Sequence, residues 1–307
     1  MNSTTCSVNG TAPYQYLFTT VYTGVMVIGL PFNGISLWIF LRRHGMRSPP
    51  AVFMTNLATA DLLFVLSLPL RIYYYSTSKW PFGKVMCTIS VMLFRSNIYS
   101  SAFFITLISV DRFLAVVYPL RSRAIRTVRI AGTTCLAVWV FTMILIAIWA
   151  KKHYESLANS SGCFESHSRQ NKTNISPMPF VLAIFVFLLL ICNVFCTVMV
   201  LKTLHKTLTG QLLAEKKKLM WMFFLNVFMF AVFFAPLSIV LFLAFYQGTV
   251  CRLTLWFVTC FTSINFCLDP VIYYFSLESF WEKKESVEMD TTHTQNDVKI
   301  HILHTAT

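Results

Sequence analysis

Charged residues are scarce in this chain. Of its 307 residues only 12% are Asp, Glu, Lys or Arg while 56% are hydrophobic, and the mean hydropathy is +0.63. That balance excludes an ordinary soluble domain, in which about a quarter of the residues carry charge. None of the histidines, His44, His153, His167, His205, His293, His301 and His304, falls within an expected helix span. Interior carboxylates without a nucleophile, base or second metal ligand argue against an intramembrane hydrolase. The apolar runs lack the alternation of barrel strands, and no internal repeat pairs two halves as in many transporters. Residues 1–16 are polar, so no cleavable leader is expected.

What the chain does contain is seven long apolar runs, at about 16–41, 51–75, 85–110, 130–150, 177–201, 219–246 and 253–275. Each reaches the ~20 residues that a helix needs to cross a bilayer. The expected fold is therefore an all-α membrane protein, a seven-transmembrane helix bundle over 16–275, between an outer tail (1–15) and an inner tail (276–307). The inner tail opens with a short amphipathic helix around 276–284 and continues as a polar, disordered segment. Arg42, Arg43 and Arg47, then Arg121, Arg123, Arg126 and Arg129, then Lys202, Lys206 and Lys216 to Lys218, then Lys283 and Lys284 all fall on one side of these runs. The positive-inside rule makes that side cytoplasmic. The Asn-x-Ser/Thr acceptors Asn2, Asn9, Asn159, Asn171 and Asn174 all fall on the other side, which agrees. The formal charge of +13 is mostly this asymmetry, and it marks topology rather than a nucleic-acid partner.

Among the nine cysteines, Cys135, Cys192, Cys196, Cys260 and Cys267 lie inside the runs and read as small packing residues. Cys6, Cys87, Cys163 and Cys251 face the oxidising side, where four thiols allow three pairings. One of these joins Cys87 to Cys163 and Cys6 to Cys251, laying the glycosylated loop over the bundle mouth. Within the runs, Asn33, Asp61, Asn97, Ser101, Asn265 and Asp269 are polar groups that must face one another away from lipid. They can act as glue between helices. With its two carboxylates, the set Asp61, Asn97, Ser101, Asn265 and Asp269 also suits a small hard cation, so a structural sodium ion is expected there; no other cofactor is.

The third run ends on Asp111-Arg112-Phe113, a charged pair at a membrane edge, with Tyr118-Pro119 beyond it. With Asn33, Leu57-Ala58-x-x-Asp61, Trp139, Phe233-Phe234-Ala235-Pro236 and Asp269-Pro270-x-x-Tyr273, in this order, the chain resembles the rhodopsin-like G-protein-coupled receptors across all seven runs. The resemblance implies that Arg112 pairs with Asp111 at rest and swings on activation to receive a G protein. It makes Phe234, Pro236, Asp269, Pro270 and Tyr273 parts of the same switch. The stretches Leu66 to Tyr74, Trp80 to Gly83, Ile108 to Ala115 and Asp269 to Phe275, together with Cys163 to Ser166 and Leu277 to Phe280, look like the purinergic-like cluster of that family and, within it, the non-Edg lysophosphatidic acid receptors. That resemblance implies a lysophosphatidic acid ligand, heterotrimeric G proteins of the G12/13 or Gq classes, and arrestin as a further partner. Leu189, Arg95 and Leu237-Ser238 stand where relatives carry Pro, often Tyr, and Tyr-Asn.

Physical chemistry points to an anionic guest independently. Arg71 lies about 15 Å of helix outward of Asp61, and Arg95 about 12 Å inward of Cys87, with no acidic residue at that depth in either run. A guanidinium fork matches phosphate, so a desolvated pair calls for a doubly charged oxyanion. Arg252 and Lys151 stand at the same mouth, and Tyr74 and Tyr99 complete the expected ligand contacts. A nucleotide, lysophosphatidylserine or another small anion is the alternative ligand, and a transporter the remote alternative function.

Overall fold

The computed structural model describes residues 12–157, 163–164, 178–206, 213–247 and 252–271. Asn2, Asn9, Asn159, Asn171, Asn174, Cys6, Cys251, Tyr273 and the tail from 276 onward, with its expected helix, lie outside these residues. Helix α1 (Ala12–Ile39) runs into a π-helical turn at Phe40–His44, and α2 (Pro49–Val65) follows. Next come α3 (Leu68–Thr77), α4 (Gly83–Val117), α5 (Val128–Ser156), α6 (Met178–Lys206), α7 (Leu213–Met229), α8 (Ala235–Gln247) and α9 (Arg252–Thr262). Six rods built from α1 to α8 are long and apolar enough to cross a membrane. The seventh is α9, interrupted at 263–264 and resumed over 265–271.

Local chemistry explains the starts and breaks. Ser48 is extended before Pro49 and Pro50, which suit the first helical turn because their missing N–H groups need no partner there. Thr127 caps α5 by accepting the Ile130 N–H at 3.2 Å. Three runs that read as unbroken in the sequence prove divided. The second bends at Leu66–Ser67, just before Pro69, where the Ser67 hydroxyl donates to the Phe64 carbonyl at 2.8 Å. The sixth passes through a π-helical turn at Phe230–Phe234 before Pro236. The seventh breaks where Ser263 donates from its hydroxyl to the Cys260 carbonyl at 2.6 Å. The third rod is also longer than its apolar run: Asp111 and Arg112 lie within α4, which continues to Val117.

The bundle is inverted relative to a soluble protein. Val27, Leu136 and Ile191 are exposed on its outside, while Asn33, Asp61, Ser101, Asn193, Asn226 and Asp269 are fully buried inside. This is the arrangement that lipid imposes, because polar groups find partners only between helices. Helix α4 packs against α2, α5, α6 and α7, so its faces carry most of the interior polar contacts. Cys87 near its start and Asp111 near its finish stand at opposite ends of the bundle, about 36 Å apart along the axis.

Candidate ligand site and switch residues

At the Cys87 end, α3 carries Arg71 into the interior, where it is 3% exposed. Its guanidinium carbon lies 4.3 Å from the ring centre of Phe94, 4.8 Å from that of Phe164 and 5.9 Å from that of Tyr22. Its Nε has no hydrogen-bond partner, and among the described residues no carboxylate pairs with it. The cage is continuous: Tyr75 stacks on Tyr22 and on Phe164, and Tyr74 meets Phe164 edge-on at 4.9 Å. Arg95 follows Phe94 on α4 and sets its guanidinium 3.9 Å from the Trp149 ring centre of α5. Arg71, Tyr99 and His153 are within its electrostatic reach.

Of the residues expected to hold a ligand, Arg71, Arg95, Tyr74 and Tyr99 come together. Lys151 is exposed at the end of α5, outside the cage. Arg252 opens α9, and its side chain lies outside the described residues. His153, expected beyond the helix spans, is a buried residue of α5 whose Nδ1 lies 3.4 Å from the Thr88 hydroxyl. Of the expected bridges the structure contains Cys87–Cys163, with a Cα–Cα distance of 5.5 Å, while Cys6 and Cys251 lie outside the described residues. The consequence is local: the bridge carries the neighbouring Phe164 over Arg71.

Midway down the bundle the interior polar residues gather. Asn97 donates to Asp61 Oδ1 at 2.8 Å and to the Ser101 hydroxyl at 3.2 Å, and Ser101 donates to the same carboxylate at 3.4 Å. Asn265 donates to Asp269 Oδ2 at 2.9 Å, and the Asp61 and Asp269 carboxyls are within electrostatic reach of each other. Asp269 Oδ1 and Asn265 Oδ1 are buried and accept no hydrogen bond. Two carboxylates with orphaned oxygen acceptors beside them fit a hard cation. Asn33 instead bonds the carbonyls of Gly29 and Phe266, as a clamp between the first and seventh rods.

At the other end, both oxygens of Asp111 accept hydrogen bonds from Arg126, at 2.9 and 3.0 Å from Nε and Nη2. Arg112, the partner expected from the sequence, is within electrostatic reach of Asp111; the two-point fork on this carboxylate belongs to Arg126, which the sequence marks only as one of several inner-loop cations. Phe234 is buried against Phe230, and Phe233 gives its carbonyl to the Thr262 hydroxyl at 2.9 Å. The structure adds two further pairs. Asn193 of α6 donates to the Thr106 hydroxyl at 2.8 Å, and Asn226 of α7 donates to the Ser109 hydroxyl at 2.7 Å. A lone asparagine in each of two otherwise apolar runs was the signal that could have revealed them.

Apolar helices enclosing a caged cation at one end and a gripped Asp-Arg step at the other have the build of a multi-pass membrane protein. The family model described as 7 transmembrane receptor (rhodopsin family) matches residues 32–273, and the chain belongs to that family. It is thus a multi-pass protein of the plasma membrane and a receptor rather than an enzyme. It is 40% identical over 292 residues to lysophosphatidic acid receptor 4 of Homo sapiens, covering 90% of this chain and 78% of that protein. It is 37% identical over 309 residues to lysophosphatidic acid receptor 6 of Gallus gallus, with 95% and 100% covered. Lysophosphatidic acid receptor 5 of Bos taurus is 35% identical over 288 residues, with 87% and 78% covered.

Proposed function

We propose that this receptor binds an anionic lysophospholipid, lysophosphatidic acid foremost, and signals through heterotrimeric G proteins. The observation that carries this reading is Arg71, a buried guanidinium with an unused Nε–H, packed against the faces of Phe94 and Phe164 and with no carboxylate paired to it among the described residues. A buried charge is costly unless paired, and cation–π contact supplies only about 2 kcal/mol of compensation. A phosphate monoester offers the bidentate acceptor that Arg favours, and Arg95 stands ready for the second charge. The names of the relatives point the same way.

In this reading the Cys87 end, the N-terminus and the sequons Asn2, Asn9, Asn159, Asn171 and Asn174 are extracellular, and the sequons carry glycans. Arg112 meets the G protein, of the G12/13 or Gq class, and arrestin competes for the same end. A sodium ion rests among Asp61, Asn97, Ser101, Asn265 and Asp269, supplying the positive charge that two neighbouring carboxylates lack.

The test is a panel of lysophosphatidic acid, lysophosphatidylserine, nucleotides and fatty acids, applied to cells that express the receptor and report G-protein activation. Lysophosphatidic acid should act at the lowest concentration, with the response lost in Arg71→Ala. A response to nucleotides alone, or one indifferent to Arg71, would overturn the assignment.

A further inference from the structure

Phe94 and Phe164 set their rings over the guanidinium of Arg71, at 4.3 and 4.8 Å. Such contacts engage the face of the cation and leave its in-plane N–H groups in need of acceptors. At the edge of that plane the Arg71 Nε–H is buried and donates to no atom. Tyr22 of α1 repeats the pattern. Its ring centre is 5.9 Å from the guanidinium carbon, its side chain is fully buried, and its hydroxyl has no hydrogen-bond partner. A phenol oxygen accepts from a guanidinium when the two meet; here they lie within electrostatic reach of each other with that bond unmade.

The neighbours hold the two groups apart. Tyr75 stacks on Tyr22 at 5.6 Å with the rings 16° from parallel, and Trp256 of α9 meets Tyr75 and Phe18 edge-on at 5.8 and 6.1 Å. Phe18 lies one turn before Tyr22 on α1, so the first, second and seventh rods share one aromatic wall. The buried thiol of Cys260 is within electrostatic reach of both Arg71 and Tyr22. Donors thus converge from three rods: a guanidinium N–H, a phenol O–H and a weaker S–H. Among the described residues no carboxylate pairs with Arg71. Donors around a fixed positive charge select an anion over a water molecule, because an anion accepts the hydrogen bonds and also neutralises the charge. Large rigid rings on the remaining sides favour a small guest. A halide is spherical, accepts from any direction and brings no donor of its own to satisfy. Arg71 stands six residues, about 9 Å of helix, from the end of α3 at Thr77, which is a short way to the bundle mouth.

We propose that the receptor without lipid binds a chloride ion between Arg71 and Tyr22, held by the Nε–H of the one and the O–H of the other. The ion site stands on the cage alone; its competition with a lipid phosphate rests on the ligand reading above. The test is the melting temperature of the purified full-length receptor in non-ionic detergent, with sodium held constant and chloride exchanged for the bulky anion gluconate. Constant sodium keeps the Asp61 and Asp269 carboxylates out of the comparison. The wild type should melt about 2–4 °C higher in chloride, and as high in bromide, because the ion binds the folded state alone. Tyr22→Phe keeps the ring and its stacking and removes only the hydroxyl. It should need about 10- to 100-fold more chloride for the same rise, the weight of one hydrogen bond to a charged group. Arg71→Gln should abolish the rise. A wild-type melting temperature indifferent to chloride, or an equal chloride response in the wild type and Tyr22→Phe, overturns the site. Stabilisation by inorganic phosphate and not by chloride leaves these donors to a phosphate head group and overturns the halide as well. In a G-protein activation assay, exchanging chloride for gluconate should lower the concentration of lysophosphatidic acid needed for half-response severalfold. Unchanged potency beside an intact melting shift upholds the ion and removes the lipid phosphate from its place.

Discussion

Arg126 grips Asp111 by both carboxylate oxygens, at 2.9 and 3.0 Å, and so competes with the adjacent Arg112 for one negative charge. Arg126→Ala should leave that charge to Arg112 alone, lowering basal and ligand-driven signalling by about 10- to 100-fold if a charge-assisted bond of roughly 1.5–3 kcal/mol changes hands. Asp111→Asn should do the opposite and raise basal signalling. Arg126→Lys should resemble the alanine variant, since an ammonium cannot reproduce the fork. A G-protein activation assay at matched surface expression decides the signs; shifts in the same direction for Arg126→Ala and Asp111→Asn would remove the competition.

Arg71→Ala should reduce the potency of lysophosphatidic acid about 10- to 100-fold, the loss of one charge-assisted contact. Arg71→Lys should recover only part of it, because the cage of Phe94, Phe164 and Tyr22 is spaced for a flat cation. Dose–response curves for the two variants check both statements.

The Cys87–Cys163 bridge closes a separation of 76 residues and holds Phe164 over Arg71. Cys163→Ser should lower the stability of the detergent-solubilised receptor by about 2–4 kcal/mol and weaken ligand binding. Phe164→Leu, with the bridge intact, should keep the stability and lose only the cation–π contact, about threefold in affinity. Thermal melts beside a binding isotherm separate the two effects.

Asp269→Asn and Asp61→Asn should each abolish any dependence of agonist potency on sodium. Replacing sodium chloride by choline chloride should shift the dose–response curve of the wild type and leave those of both variants in place. A wild-type curve that does not move removes the ion from the cluster of Asp61, Asn97, Ser101, Asn265 and Asp269.

Gly29 lets the first rod lie against the seventh, because a Cβ there would clash with the Phe266 ring. Gly29→Ala should cost about 1–3 kcal/mol through overpacking and loosen the Asn33 bond to the Phe266 carbonyl. The readout is melting temperature; an unchanged value would mean that the ring swings away freely.

Much of this molecule could be read from residues in order. Seven apolar runs, basic residues on one side and sequons on the other are consequences of a solvent that refuses backbone polarity and charge, and that constraint acts on every residue locally. Arg71, Arg95, Asp61 and Asp269 could be picked out for the same reason, because each is an anomaly in its own run. What sequence reasoning missed depends on which side chains from distant runs face one another. Arg126 was one inner-loop cation among several until the fold put it on Asp111. Phe164 was one of 29 phenylalanines until the bridge to Cys87 set it over a guanidinium. Asn193 and Asn226 became a pair only because Thr106 and Ser109 share a face of α4. Hydropathy decides that a segment crosses the membrane, but the rotation of each helix about its own axis is set by packing and by the need of each buried polar group for a partner, and those are properties of the assembled bundle.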